Sequence, residues 1–394
     1  MLLTRDLTAT LRRFAKFPVV GLFGPRQSGK TTLARATFPS HKYLNFEDPE
    51  IRELAAKDPR YFLQLHENPH GLILDEFQYL PQILSYIQLI ADEYKRPGYF
   101  VLTGSQNFLM NQAVTQSLAG RIGILTLLPL SLHELRQNQL STPQVNELLL
   151  RGNYPRPYTE NFTPEEFYPS YIHSYVERDI RLLVNIDNLS TFQKFMQLCA
   201  ARTGQLLNLS DLAVNCGITH KTVEKWLSIL EASYIIYRLT PYHENFNKRA
   251  TKTPKLYFYD TGLVCSLLGI KAVAELSLSP MRGHLFECLM ITDFYKQFYN
   301  AGRTPRLYFW RDKNGYTEVD CLVALGTRLI PIEIKAAVTV RLELFAPLDR
   351  WNALAQTDPA HGYLIYAGDE VQPRRNGQLT AWHAADQIIN SLYS

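Results

Sequence analysis

Residues Gly24-Pro-Arg-Gln-Ser-Gly-Lys-Thr31 form an unbroken G-x-x-x-x-G-K-[ST] run, and no other stretch constrains the fold of this chain as tightly. Glycines at 24 and 29 let successive backbone N–H groups turn into one concavity, and a helix opening near Lys30 adds the positive end of its dipole. Such a concavity holds a triphosphate. The apolar run Val19 to Phe23 reads as a buried strand and Thr32 to Thr37 as continuing helix, so the loop joins strand to helix at the carboxyl edge of a parallel sheet. The candidate nucleotide contacts are Gly24, Pro25, Arg26, Gln27, Ser28, Gly29, Lys30, Thr31 and Thr32. Lys30 reaches the β- and γ-phosphates as a point charge, and the Thr31 hydroxyl is suited to ligate a Mg²⁺ that bridges them.

The elements that follow fit the same sheet. Tyr43 to Phe46 reads as a second strand, with a helix through Ile51 to Ala56 behind it. Gly71 to Asp75 is a third strand, ending in the adjacent carboxylates Asp75 and Glu76, the Walker B pattern. Asp75 is suited to hold Mg²⁺ through water, and Glu76 to orient or deprotonate the attacking water. Pro81 opens a helix with Ile83, Ile87, Ile90 and Tyr94 on one face, leading to the strand Tyr99 to Thr103. If that strand lies beside the phosphate-loop strand, Ser105 at its tip senses the γ-phosphate, with Asn107 as the alternative; both are also good caps for a helix over 107–118. Arg121 precedes a fifth strand, Ile122 to Leu128, and reads either as an arginine finger, in cis or across a subunit interface, or as a helix-end cap.

The segments GPRQSGKTTLAR, YLNFEDPE, LILDEFQYLP, VLTGSQ and LAGRIGILTLLPLSLHE, in that order, resemble prokaryotic ATPases of the AAA+ superfamily of the AAA_14 type, which carry a carboxy-terminal DUF4143 domain. The resemblance implies an ATPase with a Walker B glutamate and an additional strand in its sheet, using ATP and Mg²⁺. By itself it implies no biological process.

Pro129 to Glu134 closes the sheet domain, the stretch to Leu150 is polar and helical, and Arg151 to Pro157 breaks any helix. Phe167 to Leu183 has the spacing of a packed helix with Glu177, Arg178, Asp179 and Arg181 on its polar face. From Ser210 to Leu230 the pattern is helix, Gly-containing turn and second helix, with Tyr234 to Leu239 as the first strand of a wing. In a DNA reader His220, Lys221, Thr222 and Lys225 would face the groove; in a packing module they would be a solvated face.

Towards the carboxyl end, Lys255 to Leu263 reads as a strand running into a helix, to which no chemistry attaches. A helix from Gly283 to Tyr299 carries Glu287, a hairpin over 306–324 carries Asp320, and the strand Ile330 to Lys335 carries Glu333 and Lys335. Helix Glu, strand Asp and then Glu-x-Lys resembles the PD-(D/E)xK core of restriction enzymes and junction resolvases, with Val319 where the family pattern has Pro before the Asp. Residues two apart on a strand share a face, so Glu333 and Lys335 project together. Asp320 and Glu333 could then hold a second Mg²⁺ that activates water, Lys335 could orient it, and Glu287 could complete the ligand set. The plainer alternative is a strand with a solvated Glu-Lys pair.

The expected architecture is α/β: a doubly wound parallel-sheet P-loop ATPase domain over 1–130, a helical linker or lid over 131–190, a winged-helix-like region over 191–250, and a second α/β, nuclease-like domain over 251–394. A length of 394 residues suits several domains, and 46% apolar with 20% charged residues suits globular protein. The balance of 41 basic to 37 acidic residues, net +4, is too mild to demand nucleic acid. The five cysteines lack metal-site or disulfide spacing, and the amino terminus and apolar runs suit neither a signal peptide nor a membrane helix, so a cytoplasmic protein is expected. Three functions fit: an ATPase, alone or as a homo-oligomer, controlling a nuclease-like module that acts on DNA; a nucleotide-dependent switch whose carboxy-terminal domain holds a partner and cuts nothing; or a nucleotide-binding structural protein with negligible turnover.

Overall fold

The computed structural model describes residues 2–105, 117–176, 188–242, 252–312 and 314–393. They divide into two compact units, one of Met1–Leu130 with Ala232–Tyr234 and Tyr299–Arg303, the other of Ser131–Glu231, Ile235–Phe298 and Thr304–Ser394.

The first unit is built on five parallel strands, β1 (Val19–Phe23), β2 (Lys42–Asn45), β3 (Leu72–Asp75), β4 (Phe100–Gly104) and β5 (Ile122–Thr126), in the order β2-β3-β4-β1-β5. Every residue of β1, β3 and β4 is buried, as expected for a parallel sheet covered on both faces. Leu7 and Leu11 of the helix Leu7–Phe14 pack with Leu33 and Ala34 of the helix Lys30–Thr37 onto Val20, Leu22, Ile73, Val101 and Leu125. The helices Pro49–Lys57 and Pro59–Leu65 each begin with proline at the first turn behind an aspartate cap, Asp48 and Asp58. The order places β4 between the phosphate-loop strand and the Walker B strand, so the tips of β1, β3 and β4 are neighbours.

In the second unit, Ser131 and Glu134 form a buried capping box that starts the helix Leu132–Gln137, which accounts for the SLHE part of the sequence run. The helix predicted over Phe167 to Leu183 runs Pro164–Tyr171 and passes into a π turn at Ile172–Val176. Pro169 inside that helix supplies no amide donor, and a wider turn follows directly. Glu177, Arg178, Asp179 and Arg181 lie outside the described residues. After the helix Leu189–Ala200 come β6 (Gln205–Leu206), the helix pair Leu209–Cys216 and His220–Ala232, then β7 (Ile236–Leu239) and β8 (Lys255–Phe258). Gly217, at φ 66°, takes the left-handed position that ends the first helix of the pair. The strands form an antiparallel sheet in the order β6-β8-β7.

A mixed six-stranded sheet follows: β9 (Leu307–Arg311), β10 (Glu318–Leu325), β11 (Arg328–Lys335), β12 (Tyr363–Tyr366), β13 (Gln372–Arg374) and β14 (Gly377–Ala381), in the order β13-β14-β12-β11-β10-β9. β11, β12 and β14 run parallel, and the remaining pairs antiparallel.

The strand and helix from Lys255 to Leu267 turn on Asp260. Its buried carboxylate caps the helix Thr261–Leu267 through the Leu263 N–H at 2.9 Å and also accepts from the Asn153 N–H at 2.6 Å and the Tyr168 hydroxyl at 2.7 Å. A charged acceptor of this kind contributes about 1.5–3 kcal/mol per bond. Asp260→Ala is therefore expected to lower the stability of the second unit by about 3 kcal/mol or more, read from urea unfolding, with Asp260→Asn less damaging; an alanine variant as stable as the parent would contradict it.

Candidate functional site

The loop between β1 and the helix Lys30–Thr37 closes tightly. A side chain at Gly24 would place its Cβ 2.1 Å from the Leu127 carbonyl oxygen, and φ there is 151°, so only glycine serves. Lys30 is buried and its ammonium donates to the carbonyls of Gly24 at 3.0 Å and Pro25 at 2.8 Å. Among the described residues, the buried Ser28 hydroxyl and Gln27 side-chain oxygen have no hydrogen-bond partner, which suits a loop built to meet a polar ligand. Arg26 pairs with Glu47 at 3.2 Å and donates to the Tyr79 hydroxyl at 3.1 Å, while Thr32 faces solvent.

Parallel register carries the tips of β3 and β4 to the same edge. Asp75 accepts from the Thr31 hydroxyl at 2.9 and 3.1 Å, from the Tyr43 hydroxyl at 2.7 Å, and from the Thr103 hydroxyl. Burial and the bond to Asp75 raise the Tyr43 phenol well above its ordinary pKa, so it stays a donor. Glu76 sits at φ 53° and is met by the Gln78 amide and, at 3.4 Å, by the Ser105 hydroxyl. Burial pushes its carboxyl pKa up, against the pull of Lys30 and Arg26. A hydroxyl–carboxylate pair, Thr31 with Asp75, is the hard oxygen donor set that Mg²⁺ prefers.

Thus Lys30, Thr31, Asp75, Glu76 and Ser105 converge, while Asn107 lies outside the described residues. Arg121 does not join them within the chain. It precedes the amino end of β5, where Ile122 pairs with Val19, whereas the phosphate loop follows the opposite end of β1. Its guanidinium instead holds Asp92, with one contact at 2.9 Å. Sequence reasoning missed Tyr43, Thr103 and Gln78, and also Arg5. Buried Arg5 donates to the Ser28 carbonyl at 2.6 Å and the Leu128 carbonyl at 2.7 Å, bracing the loop from behind.

A second constellation lies in the second unit. Asp320 falls where β10 bulges against β9, between Val319 and Leu322, a device that re-aims a side chain. It accepts from the Ile334 N–H at 2.9 Å and the Lys335 ammonium at 3.4 Å; Lys335 also pairs with Glu333. Buried Glu287, on the helix Arg282–Asn300, takes the Lys255 ammonium at 3.0 Å and the Tyr257 hydroxyl. Lys255 also pairs with Glu318, which is 3.3 Å from Arg311. Burial raises Glu287 to about 6, and burial with the Asp320 charge raises Glu333 well above the ordinary carboxylate value. For both lysines burial alone would lower the pKa, but the surrounding carboxylates hold it above the ordinary value. The predicted set is assembled, yet among the described residues no group of three or more His, Cys, Asp or Glu side chains is arranged to hold a metal ion.

On the helix pair, His220, Lys221 and Lys225 are exposed, and the half-buried Thr222 gives its N–H to the Thr219 hydroxyl at 3.1 Å, a helix cap. Among the described residues no helix is long and apolar enough to cross a membrane.

Family models match three stretches: an AAA domain (AAA_14) over residues 16–136, a domain of unknown function (DUF8612) over 142–274, and a second such domain (DUF4143) over 282–385. The chain therefore carries an AAA domain of the AAA_14 type and a DUF4143 domain. Uncharacterized proteins of Mycobacterium tuberculosis and Mycobacterium bovis are each 29% identical over 392 residues, spanning 98% of this chain and 85% of theirs. Among solved structures, the Walker-type ATPase of Pyrococcus abyssi aligns at a TM-score of 0.45 and 17% identity, covering 68% of this chain and 96% of that one. The Thermotoga maritima RuvB Holliday junction branch migration motor aligns at a TM-score of 0.30 and 17% identity, covering 59% and 87%.

The bracing by Arg5 gives a test. Arg5→Met removes two charge-assisted bonds to the loop and its flank, and should weaken binding of a fluorescent ATP analogue by about tenfold, equivalent to ~1.4 kcal/mol. Unchanged affinity in a folded variant would remove Arg5 from the site.

Proposed function

We propose that the chain is a Mg²⁺-dependent ATPase whose nucleotide state controls the winged-helix-like and nuclease-like parts that follow, with DNA as the polymer acted on. The observation that carries the ATPase reading is the convergence of Lys30, Thr31, Asp75, Glu76 and Ser105 at one edge of the sheet. In this reading Lys30 exchanges the carbonyls of Gly24 and Pro25 for the β- and γ-phosphates, and the backbone N–H groups of residues 26–32 donate to the remaining oxygens. Thr31 and Asp75 would hold Mg²⁺, which when bound neutralises charge on the bridging phosphate oxygens. Glu76 orients the attacking water and accepts its proton, helped by the raised pKa that burial gives it. Ser105, bonded to Glu76, is positioned to report on the γ-phosphate. A role for Arg121 then needs a neighbouring copy in a homo-oligomer and the release of Asp92.

The β6–helix–helix–β7–β8 order supports a winged-helix reading of the middle region, with His220, Lys221, Thr222 and Lys225 as its nucleic-acid contacts. The assembled Glu287, Asp320, Glu333 and Lys335 support a nuclease-like fold. A second reading, a switch whose carboxy-terminal domain binds a partner without cutting, is favoured by the lysines already paired with those carboxylates. A cytoplasmic setting fits either.

Lys30→Ala should lose ATP hydrolysis and bind nucleotide weakly, whereas Glu76→Gln should bind ATP and turn it over about a hundredfold or more slowly in a phosphate-release assay. Wild-type turnover in both would sink the ATPase assignment. Mixing Arg121→Ala with Lys30→Ala should restore some hydrolysis if the finger acts in trans; no complementation in a confirmed oligomer counts against it. Any cutting of branched, single-stranded or duplex DNA should require Mg²⁺ or Mn²⁺ and vanish in Glu333→Gln while ATP hydrolysis persists. Absence of cutting on every substrate favours the switch.

A further inference from the structure

Lys255 has no part in the ATPase reading, yet its position decides what the acidic cluster can do. It lies on β8, 3% exposed, and its ammonium is bonded to Glu287 at 3.0 Å and paired with Glu318. Its electrostatic partners extend to Asp320. On the other side of the cluster Lys335 pairs with both Asp320 and Glu333. One oxygen of Glu333, a residue 2% exposed, is buried with no hydrogen-bond partner among the described residues and so marks the acceptor that the two lysines leave over.

We propose that Lys255 is a built-in counter-cation: its ammonium takes the electrostatic place of a divalent ion between Glu287 and the strand carboxylates, closing a latent metal site. This inference rests on the reading of the second unit as nuclease-like and deepens it, naming the residue that sets the cluster's cation preference. The argument is one of charge and donors. A divalent ion needs several free oxygens at one point. Here the Glu287 oxygen is already bonded to Lys255 and Tyr257, Asp320 is held by Lys335 and a backbone amide, and Glu333 by Lys335. A metal entering beside Lys255 would also meet a like charge in surroundings too buried to screen it. With the ammonium gone, Glu287, Glu318, Asp320 and Glu333 would, among the described residues, keep Lys335 and Arg311 as paired cations, with the His284 imidazole near Asp320 and Glu318, and a divalent ion becomes the means of balancing them.

The test reads metal directly, so that it stays separate from cleavage and from the ATPase. Full-length chain without nucleotide is titrated with Mn²⁺ and free Mn²⁺ is followed by electron paramagnetic resonance. Wild type should show no tight site that Glu333→Gln removes. Lys255→Met, confirmed as folded by circular dichroism and by retained ATP hydrolysis, should gain one, at least about tenfold tighter than any wild-type binding, and lose it again on adding Glu333→Gln. If Lys255→Met fails to fold, Lys255→Gln, which keeps a polar partner for Glu287 and Glu318 without the charge, is expected to gain the same site. A tight wild-type site that disappears in Glu333→Gln overturns the proposal, as does a folded Lys255 variant that gains nothing. DNA cutting by wild type with no Mn²⁺ site outside the nucleotide loop would contradict the nuclease-like reading while leaving the role of Lys255 standing.

Discussion

A buried carboxylate must be met by donors or by a cation, and Asp75 is the place where the first unit answers that requirement. It stands at the tip of β3, 4% exposed, and three hydroxyls reach it: Thr31 from the helix after β1, Tyr43 from β2 and Thr103 from β4. Each donor comes from a different element, and only a parallel sheet in the order β2-β3-β4-β1-β5 delivers all three tips to one edge. The strand order, the tight loop at Gly24 and the brace from Arg5 are therefore parts of one arrangement. Disturbing any of them moves the oxygens that a phosphate-bound ion would need.

Much of this was legible in the sequence because its signals are local. The loop, its flanking strand and helix, and the paired carboxylates at Asp75 and Glu76 each lie within a dozen residues, where periodicity and motif spacing carry the information. Ser105 was legible through a topological expectation, that its strand lies beside the phosphate-loop strand, and the sheet has that order. Tyr43, Thr103 and Arg5 were not. Their partners lie 32, 28 and 123 residues away, to Asp75, Asp75 and Leu128 respectively, and nothing in the local sequence marks a tyrosine, threonine or arginine as a donor to them. Arg121 teaches the reverse: its place before a parallel strand already put it at the amino end, away from the nucleotide edge, and the pairing with Asp92 follows from that.

In the second unit the alternation of β11 correctly put Glu333 and Lys335 on one side, since they form an ion pair. The register shift that spans Asp320 was invisible, because it depends on how β10 registers against β9 rather than on either strand alone. Asp260 and Lys255 were invisible for a different reason. Both sit in an ordinary strand-to-helix stretch, and their importance comes from partners on other elements: Asn153 and Tyr168 for the first, Glu287 and Glu318 for the second.

The two carboxylate sites of this chain solve the same problem with donors of different charge, and the difference bears on chemistry. Among the described residues, the side chains bonded to Asp75 are all hydroxyls, which satisfy its lone pairs yet leave its negative charge to be balanced. Hydroxyls can reorient around an arriving ion at small cost, because no charge has to leave. Around Glu287, Asp320 and Glu333 the donors include the ammonium groups of Lys255 and Lys335, so charge and lone pairs are met together. There, admitting a divalent ion means displacing a cation held by several carboxylates, a far larger reorganisation than turning a hydroxyl. Buried carboxylates are thus met by neutral donors in one unit and charged donors in the other, and in the proposed reading that choice separates a site open to a metal from one closed to it.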